Sequence, residues 1–276
     1  MNIVFWNLNK QSRIEQIVTL ISHHACDVAV FAEYADDDSE VLRGLLRLGL
    51  AYYALPTIAC DRIKIFTNKR LGSFSVKKET SRFSFREFKS PGMIPTLFCM
   101  VHLPSKLHMG ELDQAMAAMY FKKDVEEVEA VVGHRNTVVF GDFNMNPYDP
   151  GMYLANGLNS VSCRRVAAGG KRIIDSREHS YFYNPSWNLL GDQFGVPGSY
   201  YYNSGAYEKS HWNLLDQVII RPELVCRFDM DSFDILIKAG GESLVSEANR
   251  PKLSDHLPIF FSLNLDFEVE NEKSMA

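Results

Sequence analysis

The chain lacks any stretch approaching the roughly 20 consecutive apolar residues of a membrane-crossing helix. Its start, Met1-Asn2-Ile3-Val4-Phe5-Trp6, carries neither the basic segment nor the apolar core of a secretory leader. A soluble, cytoplasmic protein is therefore expected. Cys-x-x-Cys pairs and zinc-like Cys/His spacings are also missing. The five cysteines (Cys26, Cys60, Cys99, Cys163, Cys226) are odd in number and scattered, as reduced and mostly buried thiols would be. Positive charge is in deficit: 29 Lys+Arg against 34 Asp+Glu give a formal charge of -5. That argues against a generally basic surface holding nucleic acid by counterion release, so phosphate binding has to be local or metal-assisted.

What is present is enough to fold. Of the 276 residues, 46% are hydrophobic and 12% aromatic, which excludes a disordered chain and allows a sizeable core. Ile3 to Trp6 reads as a strand, and Gln11 to His23 places Ile14, Ile17, Val18 and Ile21 at helical spacing. Asp27 to Phe31 and Ser39 to Leu48 repeat the strand and helix signals. Between Leu50 and Val101 the pieces are strand-sized: Arg62 to Thr67, Ser73 to Lys78, Arg82 to Phe88 and Thr96 to Val101. Glu111 to Val132 reads as the longest helix, with Leu112, Ala115, Met116, Met119, Val125 and Val128 broadly on one side. Thr137 to Phe140 reads as a buried strand ending at Gly141. Residues 144–212 show no sustained period and read as loops with short strands, with a short helix at Pro150 to Ala155. Trp212 to Ile220, Ile235 to Lys238 and His256 to Leu265 are the last strand candidates, and 266–276 an acidic tail. With no repeat or linker, the pattern implies one α+β domain over 1–265, two sheets flanked by helices.

Polar residues just past buried strands mark where chemistry belongs, because the strand fixes the backbone while the loop frees the side chain. Trp6-Asn7-Leu8-Asn9, Phe31-Ala32-Glu33, Val101-His102, Gly141-Asp142-Phe143-Asn144 and Ser254-Asp255-His256 all qualify. Asp216 lies inside the apolar run Leu214-Leu215-Asp216-Gln217-Val218, where a lone carboxylate is costly and so requires a partner. Together they supply hard oxygen ligands without thiolates, suited to Mg²⁺ or Mn²⁺, and histidines suited to phosphate oxygens. Asp142 and Asn144, two apart at a strand end, are expected on the same side, one deprotonating a water and the other orienting it.

In this order along the chain, Asn7, Glu33, His102, Asp142 with Asn144, Asp216 and Asp255 with His256 resemble the endonuclease/exonuclease/phosphatase superfamily. That superfamily includes deoxyribonucleases, apurinic-site endonucleases, deadenylases and inositol polyphosphate 5-phosphatases. The resemblance covers Asn2 to about Leu265 and implies a four-layer α/β/β/α, deoxyribonuclease-like sandwich. It also implies residue roles. Asn7 bonds the phosphate or the nucleophile network, and Glu33 holds the metal with Asp255 on the same side. His102 stabilises the phosphate or the leaving oxygen, His256 contacts the scissile phosphate, Asp142 orients or deprotonates the attacking water beside Asn144, and Asp216 holds His256. One departure is Asn9, where apurinic-site enzymes often carry an acid; an amide ligates Mg²⁺ or its water without adding charge. The implied reaction is metal-dependent hydrolysis of DNA or RNA by in-line attack of water, with a small phosphorylated metabolite as the alternative substrate and a catalytically silent binding protein as the rival. No membrane and no obligate protein partner is implied.

On the substrate side, two basic stretches (Lys77, Lys78, Arg82, Arg86, Lys89; Arg164, Arg165, Lys171, Arg172, Arg177) are read either as tracks for a nucleic-acid backbone or as solvated faces. The aromatic group Tyr181, Phe182, Tyr183, Trp187, Tyr200, Tyr201, Tyr202, Tyr207 and Trp212 offers base stacking or simple packing. Tyr202 and Trp212 are its candidate substrate contacts. Arg62 is a candidate phosphate contact or an ion-pair partner for Asp61.

Overall fold

The computed structural model describes residues 1–106, 110–193, 195–203, 205 and 210–267. Tyr207 and all of the expected acidic tail beyond Phe267 lie outside them. In chain order the first half forms β1 (Asn2–Asn7), α1 (Ile14–His23), β2 (Val28–Ala32), α2 (Asp38–Arg47), β3 (Tyr53–Leu55), β4 (Ile63–Thr67), β5 (Phe74–Thr80), β6 (Phe83–Phe88), β7 (Thr96–His102), α3 (Glu111–Val132) and β8 (Thr137–Asp142). There follow α4 (Pro150–Tyr153), β9 (Ser160–Val161), α5 (Arg164–Ala168), the hairpin β10 (Lys171–Ile174) and β11 (Arg177–Ser180), and β12 (Phe182–Tyr183). The rest comprises the pair β13 (Tyr200–Tyr201) and β14 (Trp212–Asn213), then β15 (Asp216–Ile220), β16 (Phe228–Ile235), the pair β17 (Lys238–Ala239) and β18 (Glu242–Ser243), and β19 (Ile259–Leu263).

Two mixed sheets form a sandwich. One runs β16-β19-β1-β2-β4-β3 and the other β5-β6-β7-β8-β15-β12-β9. At the centre of each lies a parallel pair, β1 with β2 and β7 with β8, so these four strands deliver their C-terminal ends, with Asn7, Ala32, His102 and Asp142, in register within each sheet. The period-2 alternation of β7 and β8 builds two cores. Phe98, Met100, Val138 and Phe140 join the core shared with the first sheet, where Phe140 meets Phe261 at 5.2 Å between ring centroids. Leu97, Cys99, Val101 and Val139 face the opposite way and pack with Phe121 and Val125 of α3. With Ile17, Leu20, Val41 and Leu45 of α1 and α2 packed in the first core, the layers are α/β/β/α.

Three sequence readings need correction. The long helix spans Glu111–Val132 as expected, but it buries Ala118, Phe121, Val125 and Val128 together with Gln114 and Lys122. Leu112, at 74% exposure, and Met116, at 43%, point away. The polar pair escapes a hydrophobicity count because backbone carbonyls take its donors: Gln114 Nε2 donates to Pro104 O and Asn144 O, and Lys122 Nζ to Ala155 O. The run from Trp212 to Ile220 divides into β14 and β15, while the strand expected at Ile235 to Lys238 ends at Ile235 after beginning at Phe228. Short β3, on the edge of the first sheet, has no counterpart in the reading.

Candidate active site

Register brings the first three groups together. His102, the last residue of β7, lies opposite Asp142 in β8, and Asp142 lies opposite Asp216, the first residue of antiparallel β15, so one row across the second sheet carries all three. Gly141 makes this possible. Its φ of +135° disfavours any side chain, and a Cβ there would stand 2.2 Å from Val101 O. From the first sheet, Asn7 reaches across to donate to Asp142 Oδ2 at 3.0 Å.

Asp142 is 1% exposed and sits between two imidazoles, with His102 Nε2 at 3.7 Å and His256 Nε2 at 4.0 Å from Oδ2. Burial pushes the Asp142 carboxyl well above the usual carboxylate range, against the opposing pull of His256 and the bonds from Asn144 N–H and Asn7. His256 Nδ1 stands 2.7 Å from Asp216 Oδ2. Burial alone would lower this imidazole, but the charge and hydrogen bond of Asp216, with Asp142 and Asp255 behind them, raise it to about 10. The acid inside the apolar run thus has its partner. His102 is pushed the other way, to about 3, first by burial and then by Arg62, His256, Arg82 and Lys10, and it stays neutral at physiological pH.

Glu33 follows β2 in a left-handed conformation (φ 47°), its N–H bonded to Arg62 O, and its Oε1 lies 3.6 Å from His102 Nε2. Asn144 departs from the expected geometry. The strand ends at Asp142, so alternation no longer applies; Asn144 is left-handed (φ 52°) and its amide donates to Leu103 O, while its backbone N–H caps Asp142 Oδ1 at 2.8 Å. Asn9 is exposed and touches the cluster through its N–H, which donates to Asn7 Oδ1. Asp255 accepts from Ser254 Oγ at 3.3 Å.

For a divalent cation the donor chemistry fits. Among the described residues, Asp142, Asp216 and His256 are the three His, Cys, Asp or Glu side chains whose ligand atoms all lie within 4.8 Å of one another, a different trio from Glu33, Asn9 and Asp255. Within it, His256 Nδ1 is committed to Asp216, whereas buried Asp216 Oδ1 has no donor. Glu33 keeps a quarter of its side chain open beside this group. The assembly is rich in hard oxygen and free of thiolate, as Mg²⁺ or Mn²⁺ requires.

Several supporting residues carry no signal in the sequence. Ser199, fully buried, accepts from Asp216 N–H through its Oγ and from Leu257 N–H through its carbonyl. Tyr200 bridges His256 through the backbone and lays its ring 4.6 Å from the imidazole centroid. Trp6 Nε1 donates to His256 O, and Ser254 Oγ to Asn7 O, tying the last segment to β1. Tyr200 stood only among the aromatics of a segment without period, and the others are ordinary core and loop residues. Trp212 packs edge-on against Tyr201 at 5.2 Å, while Tyr202, 45% exposed, stacks parallel to Tyr200.

The first basic stretch is largely committed elsewhere: Lys77 and Lys89 pair with Glu87, Lys78 with Asp124 and Arg86 with Glu79. In the second, Lys171 pairs with Glu178, and the stretch adjoins β12, which meets β15 at Ile220, the end opposite Asp216.

No curated protein of known function matches the sequence. Solved structures match the fold. A 3′ phosphatase, NExo from Neisseria, bound to product DNA hairpin, has 15% identity and a TM-score of 0.57 over 96% of this chain and 99% of its own. An AP endonuclease from Archaeoglobus fulgidus gives 13% and 0.56 over 96% and 100%. The human Nocturnin catalytic domain with bound sulfate anion gives 14% and 0.55 over 96% and 94%. The model of the Endonuclease/Exonuclease/phosphatase family matches residues 4–256. By that match, on a sandwich whose strand ends gather Asn7, Glu33, His102, Asp142, Asp216 and His256, the chain belongs to the endonuclease/exonuclease/phosphatase family of phosphoester hydrolases.

Proposed function

We propose that the protein is a divalent-metal-dependent phosphodiesterase that cleaves DNA or RNA by in-line attack of water. The observation that carries this reading is Asp142: a buried carboxyl whose acidity is suppressed, placed between a neutral imidazole and an Asp-held, charged one. A carboxylate with raised basicity is a competent general base near neutral pH. Asp142 takes the proton of the attacking water, and Asn7 and the Asn144 N–H hold its two oxygens in place. His256, charged through Asp216, donates from Nε2 to a phosphoryl oxygen, and neutral His102 donates a second hydrogen bond to the phosphate or the leaving oxygen. Glu33, with help from Asn9 and Asp255, would hold Mg²⁺ or Mn²⁺, which would supply charge neutralisation at the phosphate. Exposed Tyr202 offers a face for an unpaired base, and Trp212 supports that wall from behind.

Residues 1–265 act as one unit in this reading. A cytoplasmic setting accords with five cysteines that are all free, three of them buried. Among the described residues no helix is long and apolar enough to cross a membrane.

The test is a panel of single-stranded and duplex DNA, RNA, bis(p-nitrophenyl) phosphate and small phosphomonoesters, assayed with Mg²⁺ or Mn²⁺ and with EDTA. EDTA-sensitive cleavage of the diesters is expected, and Asp142→Ala or His256→Ala should lower kcat by about 10²–10⁴-fold. Full activity in either variant would sink the proposed roles. Turnover of monoesters alone would transfer the reading to a metabolite phosphatase, and no turnover at all to a silent binding protein.

A further inference from the structure

Three cations stand beside the site with no ion-pair partner among the described residues. Lys10, Arg62 and Arg82 make no ion pair among the described residues, unlike Lys64, Lys69, Lys77, Lys78, Arg86 and Lys89. Their backbones are bonded directly to site residues. Lys10 N–H donates to Glu33 O at 3.0 Å, Arg62 O accepts from Glu33 N–H at 3.3 Å, and Arg82 O accepts from His102 N–H at 2.8 Å. Lys10 and Arg62 are exposed and Arg82 is half-buried. Burial and then the neighbouring Arg62 push the Arg82 guanidinium down, as two like charges do when no carboxylate separates them.

The local backbone is costly to hold. Asn9 and Lys10 are consecutive left-handed residues (φ 47° and 55°), and Glu33 is a third (φ 47°). The turn binds Lys10 through its backbone N–H alone, and its side chain meets no acid among the described residues. A rim of three unneutralised cations, on loops from both sheets, favours an anion from outside. It lies on the Glu33 and His102 side of the site, next to residues assigned to the metal and the scissile phosphate.

We propose that Lys10, Arg62 and Arg82 form a second phosphate subsite, so that the preferred substrate is a nucleic-acid strand carrying a phosphate next to the one cleaved. This subsite rests on the phosphodiesterase reading. It gathers a strand by its backbone rather than by its bases, which separates it from the stacking face of Tyr202.

The experiment compares two dinucleotides in Mg²⁺, each with one cleavable diester, one ending in free hydroxyls and the other bearing a terminal phosphate at the 5′ or the 3′ end. The natural chain should prefer one phosphate-bearing form by about tenfold in kcat/KM, and K10A/R62A/R82A should bring that ratio close to one. On a longer single strand the variant's log–log salt slope should shrink by about 2, from about 0.7 per lost contact. Lys171→Ala, remote from the site, should leave ratio and slope alone. An unchanged ratio and slope in a triple variant with native circular dichroism would overturn the subsite while leaving the phosphodiesterase intact. Failure of the natural chain to cleave either dinucleotide would overturn the phosphodiesterase reading and the subsite with it.

Discussion

Removing water from a carboxyl group favours its proton, and at Asp142 the hydrogen bond from Asn7 is one of the few contacts working in the other direction. Deleting that donor in Asn7→Ala should raise the Asp142 pKa further. The acid limb of the kcat/KM profile, where the base must be ionised, should then move to higher pH; a limb that stays put or moves down would remove Asn7 from this role. His256 supports a second test. Its pKa is about 10 in the folded chain against an ordinary 6.5, so the folded state binds the extra proton and the contribution to stability is complete below about pH 6.5. That contribution declines as pH rises from 6.5 towards 10. Asp216→Asn removes the raising partner, so urea denaturation from pH 7 to pH 9.5 should show a shallower loss in the variant than in the natural chain. At this scale the sequence is informative for a physical reason: chemistry-bearing side chains occupy strand ends, and strand ends are visible in the pattern. Asn144 is the exception, because a left-handed backbone two residues past Asp142, where the strand ends, follows no alternation.

The joint between β7 and β8 shows how an element sets a site. Gly141 lets Val101 O approach so closely that any larger residue must part the two strands that carry His102 and Asp142. Gly141→Ala should lower stability by about 3 kcal/mol or more, from strand displacement and the positive φ together, and abolish turnover even where the variant folds; a thermal midpoint within a degree or two of the natural chain would contradict the close approach. Elements also mark where sequence reading runs out. The helix Glu111–Val132 is legible as a helix, but its buried face is not, since the donors of Gln114 and Lys122 go to carbonyls of Pro104, Asn144 and Ala155 that only the fold brings near. The charges of Lys77 to Lys89 look like a basic patch in one dimension, and partners such as Asp124 and Glu127, far along the chain, cancel much of it in three. Likewise the segment of Ser199 and Tyr200 has no period, because its order comes from Asp216 and Leu257, which it meets only in the finished fold.

Across the whole molecule, the candidate site belongs to neither sheet alone. Asn7 and Glu33 come from one, His102, Asp142 and Asp216 from the other, and His256 precedes β19. Activity and far-ultraviolet circular dichroism should therefore fall along one curve in urea; turnover lost well before secondary structure would show that the site opens separately from the sandwich. The negative formal charge also reads differently at this scale, since site carboxylates account for part of it and the proposed divalent ion would offset them. The pairing of β1 with β19 reaches further, to the birth of the chain. Asn2 lies opposite Ser262, and Trp6 and Asn7 are fastened to the segment Ser254 to His256. During synthesis, the first strand must wait for one made some 250 residues later before its sheet can close around it. A nascent chain that has passed residue 142 but not residue 216 carries Glu33, His102 and Asp142 but no Asp216 or His256, so its candidate site stays incomplete until synthesis is nearly finished.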